Sequence, residues 1–264
     1  MARVLITGCS TGIGRATAVE LTKRGHDVIA TARRPETIED LDVAARMALD
    51  VDDEASVAAC RDAAGQVDVL VNNAGFEVQG PVERVPVDEA KRMFETNVFG
   101  VLRMLQAFVP QMRERGSGTI VNISSVAGRA VGPLGSLYGA SKWAVEGMSE
   151  GLHLEVGHFG IRVVLIEPGV IDTNFDQNIR HYGVDEAPYD ELARQWEQAM
   201  EKLGGPEPPG PEIVAAAIAE AIEGDDVAVR IPVGADAEMV IGTRAGMDDA
   251  AFEAAMRDVL DFRW

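Results

Sequence analysis

Apolar residues along this chain gather in short, largely β-branched runs at 3–7, 28–31, 45–49, 67–71, 119–123, 162–167 and 227–231. Runs this short, bounded by glycine and polar turn residues, predict buried strands. Between them, the stretches 14–24, 54–64, 88–115, 136–158 and 211–223 repeat apolar positions at helical spacing. Strand–helix alternation of this kind predicts a parallel sheet with helices on both faces, joined by right-handed crossovers. The connection 33–41 is too short and polar for a full helix, and a turn or two is expected there. The expected architecture is one doubly wound α/β domain over residues 1–264, with about seven strands. One stretch breaks the alternation. Residues 168–210 are rich in proline, glycine and acid, are interrupted by a helical pattern at 189–203, and close on Gly204–Pro211 as GGPEPPGP. A connection this long inside a compact domain is usually functional, so 174–210 is expected to be a substrate lid. A last short helix is expected at 247–260.

Composition narrows the classes of function. The length of 264 residues suits one large α/β domain. A formal net charge of −19 disfavours nucleic acid or an anionic membrane as partner. The charge is unevenly spread. Residues 1–34 carry six basic side chains (Arg3, Arg15, Lys23, Arg24, Arg33, Arg34) against Glu20 and Asp27, a net +4. This hints at an anionic ligand near the first strand–helix unit. No apolar run approaches the roughly eighteen residues of a membrane span, and the opening MARVLITG reads as a strand rather than a secretory leader. Cys9 and Cys60 are the only cysteines, which makes a disulfide framework unexpected and fits a reducing cytoplasm. No Cys or His cluster predicts a metal site.

After the first strand comes Thr7-Gly8-Cys9-Ser10-Thr11-Gly12-Ile13-Gly14, opening a helix. Glycines there admit positive φ and let backbone N–H groups approach a pyrophosphate, to which the helix N-terminus adds partial positive charge. Position matters more than the glycines themselves, since strand, turn and helix are the context such a loop needs. The spacing resembles the T-G-x-x-x-G-I-G turn of the short-chain dehydrogenase/reductase family. Further motifs follow in that family's order: Asp50-Val51, Asn72-Asn73-Ala74-Gly75, and Pro168-Gly169 with Thr173. The resemblance covers Val4 to Thr173 and implies a Rossmann-type fold that binds NAD or NADP. It places the cofactor against Gly8, Ser10, Thr11, Gly12, Ile13, Gly14, Arg33, Asp50, Val51, Asn73, Ala74, Gly75, Tyr138, Lys142, Pro168, Gly169, Ile171 and Thr173. Asp50 has a competing reading as the cap of the next helix.

Tyr138-Gly-Ala-Ser-Lys142 begins a predicted helix, and residues four apart share a face, so an ammonium can lie beneath a phenol. Ser125 lies thirteen residues earlier, just past a strand, and Asn97 interrupts a long apolar helix. All four positions match the family's catalytic tetrad, which implies an enzyme rather than a silent cofactor sensor. A ketone accepts hydride only as its oxygen gains a proton. A lysine cation about 4 Å from a phenol, at an effective dielectric of about 20, favours phenolate by about 4 kcal/mol. That is about three pKa units, enough to bring a phenol from about 10 to about 7. Ser125 is expected to hydrogen-bond the substrate oxygen. In the family Asn97 would hold a water that links Lys142 to solvent. Ser124 is expected to be structural, because adjacent strand residues face opposite ways.

At the end of the second strand, Ala32 stands where the family places an acid for the adenosine ribose, and Arg33 follows. A guanidinium suits a 2′-phosphate, so NADP is expected, with NAD possible. Candidate pocket walls are Phe76, Val78, Val126, Val131, Leu134, Phe175, Tyr182, Trp196 and Met200, which favour a medium-sized apolar ketone or secondary alcohol. Residues Ser124 to Phe175 look most like the steroid and retinol dehydrogenase branch, by analogy alone. Gly147 and Gly151 share one helical face. The family's pairing of helices across a two-fold axis implies a homodimer or homotetramer, the competing reading being close packing within one subunit. An epimerase or dehydratase on a related fold, and an NAD-linked alcohol dehydrogenase, are the alternative readings.

Overall fold

The structure, a computed structural model, describes residues 1–173, 175 and 179–264. Seven strands form one wholly parallel sheet: β1 (Arg3–Ile6), β2 (Asp27–Ala32), β3 (Ala45–Ala48), β4 (Val69–Asn72), β6 (Gly118–Ile123), β7 (Ile161–Pro168) and β9 (Arg230–Val233). Their order is β3-β2-β1-β4-β6-β7-β9. Strand order reverses direction between β1 and β4, which opens a crevice at the carboxyl ends of both. The helices are α1 (Gly12–Lys23), α2 (Glu54–Ala64), α3 (Val87–Phe94), α4 (Val101–Arg115), α5 (Ser136–Val156), α6 (Asp190–Gly204), α7 (Glu212–Glu223), α8 (Ala235–Ala245) and α9 (Asp249–Leu260). A two-residue pairing of β5 (Val78–Gln79) with β8 (Arg180–His181) ties the chain after β4 to the far side of the crevice.

Alternation along each strand splits the core into two layers, as a sheet covered on both faces requires. Val4 and Ile6 of β1 face one layer with Leu21 of α1 and Ile218 of α7. Leu5, between them, faces the other layer with Leu70, Phe108 and Met112. Both layers are almost dry, so the strand ends that carry the motifs are held on a rigid frame.

Two expected elements differ in detail, and one helix was not expected. The stretch 88–115 is not one helix: α3 and α4 are joined by a π-helical segment, Glu95–Gly100, with Asn97 inside it. The side chain of Asn97 explains the break, because it bonds the backbone of Phe76 rather than packing in helical register. The last strand lies at Arg230–Val233 instead of 227–231. α8 had no counterpart in the apolar pattern. Part of the expected lid, at residues 174 and 176–178, lies outside the described residues, and α6 is its helical core. Among the described residues, no helix is long and apolar enough to cross a membrane.

Candidate active site

A cleft of about 1970 Å³ runs across the carboxyl ends of the central strands. Its floor at one end is the glycine turn. Gly8 and Gly12 have φ of +74° and +56°, the left-handed region that glycine enters without strain. Thr7 Oγ1 accepts the N–H groups of Asn73 and Ala74, both at 2.9 Å, and Asn73 Nδ2 donates to the carbonyls of Thr7 and Gly8. The turn is therefore bolted to the end of β4. Gly8, Ser10, Thr11, Gly12 and Ile13 line the cleft. Gly14 does not line it; a Cβ there would strike the Gly8 carbonyl and the Asn73 amide. It serves close packing, which corrects its assignment as a cofactor contact.

The remaining cofactor candidates do line the cleft: Arg33, Asp50, Val51, Asn73, Ala74, Gly75, Tyr138, Lys142, Pro168, Gly169, Ile171 and Thr173. The arrangement fits a dinucleotide. α1 points its N-terminus at the glycine turn with no acid in its first turn, and Arg33 stands exposed beside buried Ala32. Asp50 is not the cap of α2, because that role falls to Asp53, whose carboxylate accepts the Ala55 N–H at 2.9 Å. Asp50 instead donates its N–H to Ser56 Oγ and accepts the Asp52 N–H.

Tyr138 and Lys142 share the first turns of α5. Lys142 Nζ lies 5.6 Å from the Tyr138 ring centroid and donates to the Ile123 carbonyl at 2.8 Å. Ser125 follows β6, and its Oγ accepts the Ala127 N–H at 3.1 Å. Burial pushes the Lys142 ammonium down to about 8, opposed by the carboxylates of Glu146 and Glu77. The expectation of a phenol near neutral pH is not met. Burial, then the Glu77 carboxylate, hold Tyr138 above its ordinary value, and the Ser125 hydrogen bond only partly offsets them. The lysine donates to the Ile123 carbonyl, and its attraction for a phenolate does not outweigh the desolvation of the buried phenol.

Asn97 is 1 % exposed and does not line the cleft. Its Nδ2 donates to the Phe76 carbonyl at 2.9 Å and to Ser141 Oγ at 3.1 Å, and its Oδ1 accepts the Phe76 N–H at 3.0 Å. With its amide so engaged, the side chain braces the wall behind Lys142. Asn72 and Asn122 extend this bracing, with Asn72 Nδ2 donating to Asn122 Oδ1 and Asn122 Nδ2 to Ser149 Oγ, both at 2.8 Å. Ser124, though buried, also lines the cleft, and its Oγ lies 2.7 Å from where a Cβ on Gly128 would sit.

Of the apolar wall candidates, Phe76, Val126, Val131, Leu134, Phe175, Trp196 and Met200 line the cleft. Val78 and Tyr182 do not; they pack with Val85 and Met93 in a small separate core. Several lining residues escaped the sequence reading. Phe252, Met256 and Leu260 of α9 reach the cleft from the far end of the chain, a proximity no local pattern carries. Glu77, just past the Asn-Asn-Ala-Gly turn, also lines it, and nothing in its local sequence distinguishes it from a solvated loop acid. Asp236 accepts the Val170 N–H at 2.6 Å and is packed over Gly169 and Gly234, pinning the segment that follows β7. Among the described residues, no group of three or more His, Cys, Asp or Glu is arranged to hold a metal.

Comparison with known proteins agrees with this geometry. The family model for short chain dehydrogenases matches residues 2–182. The chain is 41% identical over 179 residues to 3-ketodihydrosphingosine reductase of Bacteroides thetaiotaomicron, covering 66% of each chain. It is 42% identical over 192 residues to human 17-beta-hydroxysteroid dehydrogenase type 1, covering 67% of this chain and 58% of that one. In both cases the match spans less than two thirds of the relative's own length. A short chain dehydrogenase from Burkholderia cenocepacia, solved in complex with NADP, superimposes with a TM-score of 0.79 at 27% identity over 97% of each chain. The chain thus belongs to the short-chain dehydrogenase/reductase family, as an oxidoreductase of its steroid- and retinol-dehydrogenase-like branch.

Proposed function

We propose that this enzyme transfers hydride between NADP and a medium-sized apolar ketone or secondary alcohol, with Tyr138 as the acid–base. One observation carries the reading: Ser125, Tyr138 and Lys142 line the same cleft that the glycine turn opens. When bound, NADPH supplies the hydride. In the reducing direction the Tyr138 hydroxyl donates its proton to the substrate oxygen as negative charge develops there. Ser125 Oγ donates a hydrogen bond to the same oxygen. The ammonium of Lys142 lowers the cost of the phenolate left behind, which regains a proton from water; oxidation runs the same steps in reverse. With its pKa raised, the phenol is protonated at neutral pH and so carries the proton to be given, while Lys142 is still largely charged there and offsets the cost of the phenolate.

Arg33 and the missing acid at Ala32 favour the 2′-phosphate of NADP, and an NADP complex among the structural neighbours is consistent with that. Both relatives bear names that place the chemistry at a ketone or hydroxyl group. α6 and its flanks form a lid over the substrate end of the cleft. A homodimer is formed through α5, where Trp143, Gly147 and Leu154, all exposed, make one stripe with half-buried Gly151. A Cβ on either glycine meets nothing within 4 Å, so neither glycine serves packing inside the subunit. The test is absorbance of the reduced nicotinamide with a panel of apolar ketones and both cofactors. NADPH consumption with at least one ketone, favoured at least about tenfold over NADH, is expected. No consumption with any ketone, or a preference for NADH, contradicts the reading.

A further inference from the structure

At the back of the catalytic wall, three oxygen atoms are buried with no hydrogen-bond partner among the described residues: Ser124 Oγ, Glu146 Oε1 and Glu167 Oε2. Unpaired buried oxygens are rare, because each forfeits the bonds it made to water in the unfolded chain. Their residues are 2 %, 5 % and 0 % exposed, so bulk solvent does not reach them.

The fold brings the three together. Ser124 N–H donates to the Ile166 carbonyl at 2.8 Å, which carries the β6–β7 pairing one residue past Ile123 and sets Ser124 beside Glu167. Ser124 lies two residues after Asn122, and Glu167 two after its register partner Leu165. Both therefore share the sheet face on which Asn122 bonds Ser149 of α5. Glu146 enters from α5, one turn after Lys142. The second oxygen of each carboxylate is already engaged. Glu146 Oε2 accepts from Arg230 Nε at 2.8 Å. Glu167 Oε1 accepts from Arg129 Nη1 at 3.1 Å and lies 4.0 Å from the same Arg230 nitrogen. Gly128 borders the remaining space. A Cβ there would stand 2.7 Å from Ser124 Oγ and 3.4 Å from Glu146 Oε1. Its φ is not positive, so glycine serves room there, not a turn.

The three oxygens are not bonded to one another, so a donor must stand between them. One water has two hydrogens for the carboxylate oxygens and a lone pair for the Ser124 hydroxyl, which satisfies all three. We infer that Ser124, Glu146 and Glu167 enclose a site for one structural water, through which the two carboxylates position Ser125. Ser125 follows Ser124 directly and lines the cleft, so a displaced Ser124 shifts the hydroxyl that meets the substrate oxygen. The inference rests on the reading of Ser125 given above. Glu146 and Glu167 touch no reacting atom and are positioning residues.

A crystal structure of the wild-type enzyme with NADP bound tests the site, and steady-state kinetics of two variants test its effect. One water within hydrogen-bond distance of all three oxygens is expected. A metal ion in its place, or the three side chains bonded directly to one another, overturns the inference. In Gly128→Ala the added methyl takes the water's room. Its kcat with an accepted ketone is expected to fall at least about tenfold, with KM and NADPH affinity within about threefold of wild type. Ser124→Ala adds no atoms to the core and is expected to show the same split, which keeps the test sound if Gly128→Ala fails to fold. Wild-type kcat in Ser124→Ala, with only thermal stability lowered, overturns the positioning role. No turnover of any ketone by wild type overturns the ketone reading and the positioning role together, while the crystal structure still decides the site.

Discussion

Tyr138 and Arg33 show how a residue's meaning depends on what surrounds it. The Tyr-x-x-x-Lys spacing and its neighbour Ser125 were legible because four-residue spacing on a helix fixes a shared face. The protonation state was not, because it depends on burial and on Glu77, which enter only once the chain is folded. Arg33 is simpler, since it stands exposed just past the end of β2, on the lining of the cleft. Replacing Ala32→Asp with Arg33→Ala installs an anion against a 2′-phosphate and removes its counter-ion. The double variant is expected to lose or reverse the NADPH preference in kcat/KM, a change of at least about tenfold. An unaltered preference would assign Arg33 to solvated surface charge.

Elements were legible where periodicity and packing agree and obscure where a side chain overrides them. All seven sheet strands had a counterpart in the apolar runs, because a strand buried on both faces leaves a continuous signature. The π-helical segment at Glu95–Gly100 did not, since a single amide, Asn97, redirects the backbone toward Phe76. α5 illustrates both cases. Its proposed catalytic face is readable from Tyr138 and Lys142, whereas its glycines carry two readings in the sequence, and only the fold shows open space around Gly147 and Gly151. The exposed stripe runs on to Leu154, 76% exposed, with Leu102 of α4 also uncovered. Leu102→Glu with Leu154→Glu places charges on this face away from the cleft. The pair is expected to convert a dimer to a monomer, read as halved mass by light scattering. An unchanged mass would locate self-association elsewhere.

Across the whole molecule, contacts distant in sequence were the least legible. The cleft takes its floor at one end from the glycine turn after β1 and part of its apolar wall from α9, residues about as far apart as the chain permits. No local pattern announces that Trp196 meets the Phe262 ring edge-on, or that Asp236 clamps the backbone of Val170. What unites these parts is a single proposed proton transfer, so the most direct measurement is on Tyr138→Phe with two readouts. Turnover of an accepted ketone with NADPH is expected to fall by about 10²–10⁴-fold, the usual contribution of a positioned acid. NADPH binding, followed by its fluorescence, is expected to stay within severalfold of wild type, because only the hydroxyl is removed. A Tyr138→Phe variant that kept a tenth or more of wild-type turnover would contradict Tyr138 as the proton donor.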